Sequence, residues 1–145
     1  VWAEISRRKA KANMLTRTIL LLLGLFHLAN GLWMLAAPEA WYTAIPGVAM
    51  TGPINHHFIQ DIGLAFMASG AGLALGFRQG AVSATLALAG AAWPMLHALL
   101  HVWGWLAHGF PADTHVATSE LVGVVLVSAA GFALAWVNAH KAGAL

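Results

Sequence analysis

Long apolar runs alternate with short polar connections along this chain. Four runs, roughly 15–37, 57–77, 81–106 and 116–138, are each long enough to cross a bilayer. A hydrocarbon core of about 30 Å takes about 20 helical residues. The connections are residues 38–56, the tight Arg78-Gln79-Gly80 turn, and residues 107–115. The pattern predicts an all-α integral membrane four-helix bundle, up-down-up-down, with residues 1–145 forming one transmembrane domain. No repeat, low-complexity tract or long linker divides the chain.

Composition strengthens this reading. Of the 145 residues, 60% are hydrophobic and 8% charged. A soluble domain is about 45–50% apolar and about 25% charged. A chain this short buries too little of its surface to hide so much apolar area in water. The absence of cysteine removes thiol redox chemistry, thiolate zinc sites and iron–sulfur clusters. Against 12 formal charges (7 Lys or Arg and 5 Asp or Glu) stand 8 histidines, the one unusual feature of the polar remainder.

The basic residues set the expected orientation. Arg7, Arg8, Lys9, Lys11 and Arg17 precede or open the first run, Arg78 lies in the middle turn and Lys141 in the tail. All fall on one side of the alternating spans, which predicts both termini in the cytoplasm of a multi-pass inner-membrane protein. Trp33, Trp41, Tyr42, Trp103 and Trp105 gather near the other face, as an interfacial aromatic belt does. A rival reading takes Leu35-Ala36-Ala37 as a signal-peptide cleavage site. The length of the run, its interruption by His27 and Asn30, and Pro38 after the cut oppose it. The net charge of +2 does not point to nucleic acid, since no stacking aromatics accompany a basic surface. The bilayer and its anionic headgroups are the expected partners of the basic run.

Depth along the spans follows from about 1.5 Å of rise per residue. Asp61 and Glu120 fall about 6 Å inside the outer ends of the second and fourth spans, and His101 about 7 Å inside the third. His97 lies about 13 Å down and His27 about 15 Å down. Each span thus carries an ionisable group in its outer half. In the third span Gly90, Pro94, His97, His101, Gly104 and His108 share one stripe. In the second, His57, Asp61, Ala65, Ala68, Gly72 and Gly76 share a face of small residues, which predicts that Asp61 points into the bundle. Ser119 and Gly123 flank Glu120 in the same way. A carboxylate facing lipid costs about 2.5–3.5 kcal/mol on insertion scales.

Imidazoles and carboxylates without thiolates suit Zn, Fe, Mn or Cu(II). The i, i+4 pair His97 and His101, with His57, Asp61 and Glu120 from neighbouring helices, forms the expected transition-metal site. His27 and His97, at similar depth on different spans, are the expected axial ligands of a variant that holds haem b non-covalently. Two readings need no cofactor. The same groups can form a proton relay or hydrogen-bond network, or serve as polar glue between helices worth about 0.6 kcal/mol per bond. On the last reading the chain is an accessory or assembly subunit of a larger membrane complex, or a homo-oligomer. His115 and His140 read as surface histidines, His56 and His108 as interfacial ones, and Met34 and Met95 as gap fillers. No nucleophile motif or phosphate loop marks an enzyme.

The first outer connection carries Trp41, Tyr42, Ile45, Pro46 and Val48, which suit either a lid over the polar groups or an interfacial anchor. Gly52-Pro53 is expected to open the second helix with proline at its first position. Within residues 15–138, Ile45-Pro46-Gly47-Val48, Thr51-Gly52-Pro53, Asn55, His57-Phe58, Asp61-Ile62-Gly63 and the His97/His101 pair resemble small four-span bacterial membrane proteins of uncharacterised function. That resemblance implies the four-span topology and draws attention to Asp61 and the histidine pair, and it carries no activity.

Overall fold

The computed structural model describes residues 2–145. In chain order it contains α1 (Trp2–Ala36), α2 (Pro38–Ala44), a 3-10 turn (Val48–Thr51), α3 (His56–Leu75) and α4 (Ala81–His108). Then come α5 (Thr114–Thr118), a π-helical segment (Ser119–Leu126) and α6 (Val127–Lys141). The last three run on without a break, so Thr114–Lys141 acts as one long helix. Together with α1, α3 and α4 it makes four helices long and apolar enough to cross a membrane, one for each apolar run in the sequence.

The helix ends differ from the sequence reading in two places. α1 begins at Trp2 instead of near residue 15. The residues ahead of the apolar run are mostly good helix formers, and Glu4 pairs with Arg8 one turn on. At about 1.5 Å per residue α1 is about 52 Å long, so its exposed first turns reach past an apolar layer of about 30 Å. α3 begins at His56, with Asn55 as its cap and the Phe58 N–H donating to Asn55 Oδ1 at 3.0 Å. It does not begin at Gly52-Pro53, because Gly52 stands at φ 137°, a conformation open to glycine that no helix contains.

α1 and α3 pack backbone against backbone. The buried face of α1 is Leu20, Gly24, His27, Gly31 and Met34, a 4-3-4-3 spacing that keeps one stripe inward. A Cβ added at Gly24 would come within 2.5 Å of the Ala74 nitrogen, and one at Gly31 would collide with the Gly63 carbonyl oxygen. Reciprocally, a Cβ at Gly70 would lie 2.7 Å from the Gly24 oxygen. Gly24 facing Gly70 and Gly31 facing Gly63 make the pair antiparallel. Small residues allow this approach, and the two bare backbones gain dispersion contacts along their length.

α3 meets α4 the same way on its other side. Gly72 lies against Gly90, and a Cβ at Gly76 would fall 2.7 Å from Ala87 Cβ. Pro94 inside α4 lacks an N–H and so frees the Gly90 carbonyl, yet the helix continues unbroken. The final helix packs on α4 and, over a smaller interface, on α1, which closes the bundle. Leu20, Leu73, Ala87, Ala91 and Ala135 form the innermost cluster, with Leu88, Phe132 and Leu134 around it. The end of the bundle with the Arg78 turn and both chain ends lies on one side of this apolar layer. The end that carries α2 lies on the other.

Candidate functional site

The polar residues of the α2 end divide into two groups that do not meet. The inner group follows one stripe of α4 and crosses to the last helix. Trp93 stacks nearly parallel on His97, with ring centroids 5.4 Å apart and planes at 6°. The His97 and His101 rings stand edge to face, 4.8 Å apart. His101 Nδ1 is 3.5 Å from Glu120 Oε2, and the Trp105 indole N–H donates to the same oxygen at 2.6 Å. The His101 and Glu120 side chains are 26% and 22% exposed, so the pair is sheltered from solvent but open at one edge. Trp105 sits four residues beyond His101, one turn further along the same stripe.

Glu120 is the second residue of the π-helical segment. Such widened turns are rare and concentrate at functional sites. Each extra residue rotates the following helix face by about 100°. Upstream of the segment, the Asp113 carboxylate accepts hydrogen bonds from the His115 N–H (2.8 Å) and the Val116 N–H (3.1 Å) and so caps α5. The Val116 and His115 amides hold the Asp113 carboxyl below the usual carboxylate range.

The outer group lies on the surface of α3 and α2. His57 Nε2 is 3.5 Å from Asp61 Oδ2, and the two side chains are 88% and 55% exposed. The expectation that Asp61 points into the bundle is therefore corrected. The small-residue face of α3 is two faces. Gly63 and Gly70 meet α1, and Gly72 and Gly76 meet α4. That leaves the stripe of His57, Asp61, Leu64 and Ala68 outside. Beside it, His56 Nε2 lies 3.1 Å from Glu39 Oε1.

The five residues expected to share one metal ion are consequently not one cluster. His57 and Asp61 form a surface pair, while His97, His101 and Glu120 form the inner line. As the side chains stand, no three His, Asp or Glu among the described residues surround a common point. Glu120 has its Oε2 engaged by Trp105, and the two imidazoles are turned edge to face.

The haem variant fails on packing. His27 is buried (3% exposed), and its Nδ1 has no partner among the described residues. That would suit an iron ligand, but Phe66 fills the space toward His97. The Phe66 ring stacks on His27 at 5.5 Å and meets His97 edge-on at 6.2 Å and Trp93 at 4.8 Å. A porphyrin between the two histidines would have to displace Phe66, so these residues do not fit the group.

The connection from α1 to α3 is held by hydrogen bonds from its own aromatic side chains. The Trp41 indole N–H donates to Asn30 Oδ1 at 3.0 Å, and the Tyr42 hydroxyl donates to the Gly52 carbonyl at 2.6 Å. Two residues that matter here went unmarked as site residues in the sequence. Trp105 read as a belt aromatic, although its i, i+4 relation to His101 was visible. Phe66 gave no signal, because an apolar ring in an apolar helix looks the same whether it faces lipid or separates two histidines. No family model matches this chain, and neither a curated protein nor a solved structure matches it. Its chemistry is read from the inner line alone. That line offers two imidazoles and one carboxylate from two helices, with the His101 and Glu120 side chains partly exposed.

Proposed function

We propose that the chain is a four-span inner-membrane protein, with both ends cytoplasmic, that binds a divalent transition-metal ion at His97, His101 and Glu120. The approach of His101 Nδ1 to Glu120 Oε2 across the α4 interface carries this reading. The topology rests on the four apolar helices and on the placement of all basic residues at the end opposite α2. Bundles build metal sites from imidazoles and carboxylates on facing helices, and i, i+4 spacing puts two imidazoles on one side. Its imidazole and carboxylate mixture suits Zn, Fe, Mn or Cu(II). Binding requires Glu120 to exchange its bond from the Trp105 indole for the metal, so the indole reports on loading.

The test is metal analysis of the detergent-purified protein after incubation with Zn²⁺ and desalting, together with tryptophan fluorescence. One zinc per chain is expected, with an emission change that Trp105→Phe abolishes. A protein that retains no zinc overturns the proposal.

A second reading makes the chain a cofactor-free subunit of a larger membrane complex or a homo-oligomer. The sparse packing of the last helix favours it. Only 17% of that helix's most apolar window is buried, against 33% for α4, and Leu121, Val122 and Leu126 are exposed on it. On this reading the protein purifies metal-free from mild detergent, at a mass well above one chain.

A further inference from the structure

The opposite end of the bundle holds a feature unrelated to the histidines. A cleft of about 450 Å³ opens there between the first helix, the Arg78 turn and the end of the last helix. Its volume is within the range of about 300–1,000 Å³ common for small-ligand sites. Arg17, Arg78 and Lys141 line it, with the neutral amides of Asn13, Gln79 and Asn138 between them. These three cations come from three separate parts of the chain and converge only in the fold.

None of the three has a carboxylate within 4 Å among the described residues. Glu4, the one acid in the sequence ahead of the first apolar run, pairs with Arg8. Arg17 is partly committed. Its Nε donates to the Phe77 carbonyl at 2.7 Å, its Nη2 donates to the same oxygen, and its guanidinium lies 5.4 Å from the Phe77 ring. This closes the end of α3, where the helix dipole favours a cation. Three of the five guanidinium N–H donors remain. Asn138 Nδ2 reaches the Gly76 carbonyl at 3.5 Å and ties the last helix to the same place. The cleft is thus built on a fixed frame, and no carboxylate among the described residues pairs with its cations.

We propose that this cleft binds a phosphate-bearing anion, with Arg78 and Lys141 supplying charge and Arg17 a fixed guanidinium. Three unpaired cations bordering a cavity call for an anion from outside. The amides of Asn13 and Gln79 add donors for the remaining phosphate oxygens. The inference rests on the membrane reading in one respect. If these helices span a bilayer, the cleft opens at the headgroup layer, where the phosphodiester of an anionic lipid is the most concentrated source. Basic pockets between spans at the cytoplasmic face bind such headgroups. Inorganic phosphate offers the same chemistry from solution.

Native mass spectrometry of the detergent-solubilised full chain tests this. Phosphatidylglycerol, phosphatidylcholine and inorganic phosphate serve as separate probes, and the wild type is compared with Arg78→Gln/Lys141→Gln. Arg17 is left intact because it also holds α3. Retention of phosphatidylglycerol over phosphatidylcholine, weakened about thirtyfold in the double variant, supports the lipid source. Phosphate adducts that displace phosphatidylglycerol and vanish in the double variant support the same site with free phosphate as its ligand. Equal retention of both lipids without phosphate adducts, or binding unchanged in the double variant, overturns the proposal. Resistance of the chain to alkaline carbonate extraction from membranes is measured in parallel. A protein that stays in the membrane but shows no anion preference refutes the cleft alone, whereas an extracted protein refutes the spanning topology.

Discussion

The α1–α3 pair and the π-helical start of the last helix are built on opposite principles. Between α1 and α3 two backbones touch through Gly24, Gly31, Gly63 and Gly70, with no room for a methyl group. In the last helix a Cβ added at Gly123 would meet nothing within 4 Å, and the backbone is π-helical over Ser119–Leu126. The tight pair fixes the scaffold, and its one buried ionisable side chain, His27, is wrapped in aromatic rings. The π-helical start of the last helix, which has no buried residue, carries the carboxylate that meets His101. A ligand that needs Glu120 to change partner is better served by a segment not locked to its neighbours. Local stability in proteins is unevenly distributed, and binding elements come from its low end.

This contrast breaks most visibly at Gly24. Gly24→Leu should abolish the folded bundle, and Gly24→Ala should cost about 2–3 kcal/mol, since overpacking a site with backbone on both sides cannot be relieved by rotamers. Thermal unfolding in detergent measures both. At the inner line the effect is smaller and has two signs. Trp105→Phe removes the donor to Glu120 Oε2, so stability should fall by about 1 kcal/mol while zinc affinity rises about fivefold. A loss of affinity in this variant would mean that the Trp105 hydrogen bond orients the Glu120 carboxylate toward the ion and does not compete with it.

Asp113 sharpens the picture at the start of the last helix. Its carboxyl is held below the usual range when folded, so its stabilising effect is complete above the unfolded value of about 3.9. The effect is lost as pH falls through the lower folded value. Hydrogen exchange at the His115 and Val116 amides should accelerate in that acidic window, and the α1–α3 amides should not follow. The smallest expected effect is at Gly123. Gly123→Ala should raise stability by about 0.4–1 kcal/mol, because the site is open and alanine favours helix. A large loss there would mean that the π-helical segment is as tightly packed as the glycine pair.

The four helices were legible because a run of about 20 apolar residues has few other uses. The α4 stripe was legible too, since 3.6-residue periodicity placed His97 and His101 together before any neighbour was known. Asp61 was misread for a physical reason. Small residues recur on more than one side of α3, which is packed between two helices, and periodicity alone cannot say which side the partner takes. The π-helical turn was hidden because it depends on hydrogen-bond register, and Ser119–Leu126 has an ordinary helical composition. The basic cleft was invisible as a site, since its three cations are far apart in the chain and read only as a charge bias.

The most direct measurement is a zinc titration by calorimetry on the detergent-purified protein, comparing His101→Ala and Glu120→Gln with His57→Ala and Asp61→Asn. The inner line predicts one zinc per chain, at least about tenfold weaker in the first two variants and unchanged in the second two. Binding that survives His101→Ala and Glu120→Gln but is lost in Asp61→Asn would contradict it.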